Sequence, residues 1–122
     1  MRRITASVVT GILSITMAIP VGFAATSYNT QCIQTAIEKE QGAFITSIDT
    51  YYATVRSAMI SRKDALRTAW SISDSKQRRD TVRNAEKNFT TTERNAAKTR
   101  RDADRAAEKT FKSEAKLCEI KS

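Results

Sequence analysis

An eleven-residue repeat runs from Cys32 through Glu119. Set in rows of eleven from Cys32, the first half reads CIQTAIEKEQG, AFITSIDTYYA, TVRSAMISRKD and ALRTAWSISDS. The first column is small or Thr: Cys32, Ala43, Thr54, Ala65. The second is bulky: Ile33, Phe44, Val55, Leu66. The fourth is always a hydroxyl residue and the fifth is small, Ala36, Ser47, Ala58 and Ala69. The sixth is again bulky: Ile37, Ile48, Met59, Trp70. The second half continues as KQRRDTVRNAE, KNFTTTERNAA, KTRRDADRAAE and KTFKSEAKLCE. Its first column is Lys throughout, at Lys76, Lys87, Lys98 and Lys109. Its eighth is basic, Arg83, Arg94, Arg105 and Lys116, and its tenth is small, Ala85, Ala96, Ala107 and Cys118.

Eleven residues in three turns is about 3.67 per turn, close to the period of a straight α-helix. A strand, with period two, cannot generate these columns. The repeat therefore predicts an all-α fold of two long helices, about 30–70 and about 75–120, each about 60–70 Å long from the rise per residue. Three Gly and one Pro are too few to punctuate a barrel, sandwich or doubly wound sheet. The turn falls at about 71–75, where Ser71-Ile72-Ser73-Asp74-Ser75 offers capping side chains and Asp74 with Gln77 has capping-box spacing. Gly42 reads as a weak point inside helix 1, not a boundary.

Folding the chain back at Ser75 brings Cys32 opposite Cys118, Ala43 opposite Ala107, Thr54 opposite Ala96 and Ala65 opposite Ala85. Two facing columns of small residues let helices approach closely, as a disulfide requires. The expectation is an antiparallel hendecad coiled-coil hairpin with Ala43, Thr54, Ala65, Ala85, Ala96 and Ala107 along its seam. A Cys32–Cys118 disulfide closes its open end.

The N-terminus has the grammar of a secretory signal. Arg2 and Arg3 precede an apolar stretch that ends near Pro20, and Gly22-Phe23-Ala24 supplies small residues for cleavage after Ala24. The stretch is shorter than a spanning helix needs. Residues 1–24 are thus expected to be removed, leaving one hairpin domain over 25–122 in the periplasm or outside the cell, with no stable membrane span. That oxidising destination suits the paired cysteines.

Two surfaces stand out. The second helix is Ala-rich and cannot cover the wide apolar stripe of the first. Ile37, Ile48, Met59 and Trp70 therefore predict a homo-oligomer, forming a larger bundle, or a protein client. The chain's +8 charge is also unequally shared. Basic and acidic groups balance over 25–75, and the excess of the mature chain lies beyond. Lys76, Arg83, Lys87, Arg94, Lys98, Arg105, Lys109 and Lys116 form one stripe opposite the small column. It serves either as a solvating back face or as a contact for an anionic envelope component.

Catalytic chemistry is not indicated. The chain has no His, and its two Cys are too far apart in sequence for a local zinc motif. There is no Gly-rich phosphate loop or nucleophile elbow, so no cofactor and no metal are expected. Nucleic acid is disfavoured, because no aromatic interleaves the basic stripe. Asn88-Phe89-Thr90 matches a glycosylation sequon but falls mid-helix and reads as an accident. The reading is an exported, non-enzymatic helical-hairpin structural or protein-interaction module. The alternative is a chaperone-like or anionic-envelope-binding protein that uses both stripes.

Overall fold

The structure, a computed structural model, describes residues 27–121. The expected signal segment 1–24 and its cleavage after Ala24 lie outside the described residues. Helix α1 spans Thr30–Trp70 and α2 spans Ser75–Leu117, packed against each other as a hairpin.

Each helix starts on a side-chain cap. The Asn29 carboxamide oxygen accepts from the Cys32 backbone N–H at 3.0 Å. The Asp74 carboxylate accepts from the Gln77 N–H at 2.7 Å. Both satisfy donors that the first helical turn would otherwise orphan. The turn needs no glycine. Ser71 caps α1 in the ordinary right-handed region, and no positive φ occurs among the described residues. Instead Arg78 reaches back and donates to the carbonyls of Ile72 at 3.0 Å and Ser73 at 3.1 Å. Its guanidinium also lies 5.3 Å from the centre of the Trp70 ring.

The open end is clamped twice. Cys32 and Cys118 form a disulfide with their Cα atoms 5.5 Å apart. Beside it, Tyr28 and Glu119 pair in a short antiparallel bridge. The Asn29 N–H donates to the Cys118 carbonyl at 2.9 Å, and the Ile120 N–H to the Ser27 carbonyl at 2.8 Å. Here the helix ends sooner than the repeat predicts. Helix α2 stops at Leu117, not near 120, because its last residues turn their backbone groups to residues 27–29.

The seam corrects the expected rotation of α1. On α2, Ala85, Ala96 and Cys118 are buried and Ala107 is half-buried. On α1 the buried positions are Ala36, Ser47 and Ala69, from the fifth column. Thr54 and Ala65, from the expected first column, are half-buried, and Ala43 is exposed. The two columns lie four residues apart on neighbouring faces and are both small, so either tolerates close approach. Cys32 reaches its partner from the flank of the seam. Ser47 is accommodated because its hydroxyl donates to the Asp104 carboxylate at 2.7 Å. Two ion pairs cross the seam, Lys39–Glu114 at 2.7 Å and Arg62–Glu86 at 2.8 Å. Both are partly solvated and contribute at most about 1 kcal/mol each.

Gly42 lies inside α1, and a Cβ built there meets nothing within 4 Å. Gly42→Ala should therefore stabilise the hairpin by about 0.5–1 kcal/mol, by relieving the helix-interior penalty of glycine. Thermal unfolding followed by circular dichroism should show a rise of a few degrees, and an unchanged or lower midpoint would contradict this.

Candidate functional site

No large side chain is fully buried among the described residues. The packed centre is Ala, Ser and Cys, so the bulky residues are displaced to its margins. The second-column residues Ile33, Phe44, Val55 and Leu66 are all half-buried. Arg62 stacks over Phe89 at 5.2 Å and Arg100 over Tyr51 at 5.6 Å, covering two aromatic rings with guanidinium planes.

The sixth column fares differently. Ile48 is half-buried, but Ile37, Met59 and Trp70 are exposed, Met59 at 54 % and Trp70 at 72 %. Ile45, Tyr52 and Ile60, which stand outside the bulky columns, are exposed as well. At about 100° per residue, Ile37, Ile45, Ile48, Tyr52, Met59 and Trp70 fall on one side of α1, beside the seam. They make an apolar row running nearly the length of the helix. Near the turn, Met59, Leu66 and Trp70 line a shallow pocket with Arg62, Lys63 and Arg67.

A second groove follows the seam and is lined by Thr46, Thr50, Thr54, Asn95 and Thr99. Its chemistry is muted. The hydroxyls of Thr46 and Thr54 donate to carbonyls four residues earlier in their own helix, at 3.0 and 2.9 Å.

All eight cations of the basic stripe on α2 are exposed. Arg83 lies 3.8 Å from Asp80, and Lys98 pairs with Asp102. Lys76, Lys87, Arg94, Arg105, Lys109 and Lys116 form no ion pair among the described residues. The hydrogen bond from Lys98 holds the Asp102 carboxyl below its ordinary range, and the charges of Lys98, Arg105 and Arg101 act in the same direction. That contribution is present above the ordinary carboxylate pKa and is lost as pH falls through the lowered one.

Among the described residues there is no group of three or more His, Cys, Asp or Glu placed to hold a metal. No described helix is long and apolar enough to cross a membrane. Comparison of the chain with protein-family models, curated proteins and solved structures finds no match. A functional reading therefore rests on the hairpin's own two surfaces. The sequence columns identified both stripes. Tyr51 and Tyr52 lie beside the bulky columns. Ile45 and Ile60, which repeat in no column, were missed, as was Arg78, whose role depends on the turn's carbonyls.

Proposed function

We propose that this chain is an exported, non-enzymatic helical hairpin that serves as a structural or protein-interaction module through the apolar row of α1. The observation that carries this is the exposure of Ile37, Met59 and Trp70 while the buried side chains among the described residues are Ala, Ser and Cys. A two-helix hairpin buries a small share of its surface and gains most from a partner that removes such a row from water. The disulfide is compatible with an oxidising destination.

Trp70, the single tryptophan, provides the test. At micromolar concentration it should be shielded from a neutral quencher or, where the row stands open, the chain should take up an apolar dye. A freely quenched Trp70 together with no dye uptake would contradict the reading.

A second reading is favoured by the six cations of the basic stripe that form no ion pair among the described residues: a chaperone-like or anionic-envelope-binding protein that uses this stripe with the apolar row. Reversing Arg94, Lys98 and Arg105 to Glu separates the two. These residues lie opposite the buried Ala85 and Ala96, so helicity should stay close to unchanged. If the stripe only solvates the hairpin, neither protein sediments with vesicles containing phosphatidylglycerol at physiological salt, and this is the expected result. Binding by the parent chain that weakens as salt rises and disappears in the reversed variant would instead establish the second reading.

A further inference from the structure

The apolar row carries a pattern that identifies its occupant. It is mirrored about Ile48. Ile37 and Met59 stand eleven residues to either side. Its charged flank is polar in the opposite sense. At helical spacing, Glu38, Arg56, Lys63 and Arg67 fall along the edge of the row away from the seam. Asp49 also falls on this edge, so its acids, Glu38 and Asp49, lie in the N-terminal half of α1 and the three cations in the C-terminal half. Glu38 and Arg56 are exposed and form no ion pair among the described residues. Lys63 lies 3.5 Å from Asp64, with both side chains well solvated.

Resting on the reading of the row as an interface, we propose that its occupant is a second copy of this chain. The copy lays its α1 antiparallel along the row, about a two-fold axis through Ile48. That arrangement sets Ile37 of each copy against Met59 of the other. It places Glu38 of each copy between Arg56 and Lys63 of the other. A parallel arrangement would turn this edge towards the partner's opposite edge and leave Glu38 without these cations. Asp49, beside the axis, stays at the solvated rim. Trp70 of each copy runs towards the other's open end, where Tyr28 is also exposed.

The size is adequate. From Ile37 to Trp70 the row is about 50 Å long and about 10 Å wide, so it removes roughly 500 Å² per copy, or roughly 1,000 Å² in total, the least a specific interface needs. The contact is isologous and closes after two copies, so it needs no further partner.

Single cysteines introduced into the disulfide-closed chain test the axis. Under mild oxidation, Ile48→Cys should link to its own copy. Ile37→Cys and Met59→Cys should each link poorly alone and link efficiently when mixed, with Cys32–Cys118 retained by mass mapping. Glu38→Arg should reduce linking through Ile48→Cys, and adding Arg56→Glu and Lys63→Glu to the same chain should restore it. Self-linking at Ile37→Cys equal to that at Ile48→Cys would overturn the antiparallel axis. A single-chain mass with no linking at any site would overturn the dimer. Dye uptake in that case would leave the interaction-module reading standing, whereas a bare, quenchable Trp70 without dye uptake would remove both.

Discussion

Replacing Cys32 and Cys118 by Ser should remove most of the hairpin's thermal stability. The bridge joins residues separated by 86 positions, so in the chain-entropy model it contributes on the order of 4–5 kcal/mol. Little else holds that end: the two backbone hydrogen bonds that make the Tyr28–Glu119 bridge, and further in the solvated Lys39–Glu114 pair. Elsewhere along the seam the buried side chains are Ala and Ser, which supply little apolar area per residue. A domain of this size has only about 5–15 kcal/mol in total. The expected loss therefore corresponds to a fall of roughly 15–30 °C in the unfolding midpoint, read by circular dichroism. The helices should fray first at Thr30 and Leu117, because the turn end keeps Asp74 and Arg78. A midpoint within a few degrees of the parent would mean that the bridge closes a contact already held by other forces.

The second large effect is expected from Ile48→Gln combined with Met59→Gln. In an isolated hairpin Met59 is already more than half in water, and its replacement should cost little. If a second copy covers the row, each dimer loses four apolar side chains from its interface. At about 1–2 kcal/mol for each, the dimer weakens by about 4–8 kcal/mol, a factor of roughly a thousand or more in Kd. The variant should be monomeric at micromolar concentration and should lose helix with the partner, since folding and association share the same apolar surface. Unchanged mass and helicity in the double variant would show that the row is ordinary solvated surface. The two substitutions separate the two halves of the account. The cysteine pair tests what holds α1 to α2, and the glutamine pair tests what lies on the other side of α1.

The hairpin was legible because its columns are long and redundant. Cys32 and Cys118, Thr54 and Ala96, and Ala65 and Ala85 all lie symmetrically about Ser75, so several independent pairs fixed one fold-back point. The disulfide followed from that symmetry. Rotation of α1 about its own axis was not legible. The Ala43 column and the Ala36 column are both small, and nothing local says which one meets α2. Ser47 tips the balance through its bond to Asp104, which depends on a residue of the other helix. The end clamp was also hidden. A bridge between residues 27–29 and 118–120 has no period, and Glu119 carries no turn signal. The bulky columns pointed to the apolar row, but its full width was not legible, because Ile45 and Ile60 belong to no repeating column.

On the reading proposed here a partner, and not water, covers the apolar row of α1. Molar mass by light scattering, taken on the disulfide-closed chain over a dilution series, decides between the two. Twice the chain mass is expected at micromolar concentration, falling towards the single-chain mass on dilution, with Trp70 becoming quenchable over the same range. A single-chain mass at every concentration, with full helicity and a freely quenched Trp70, would contradict it.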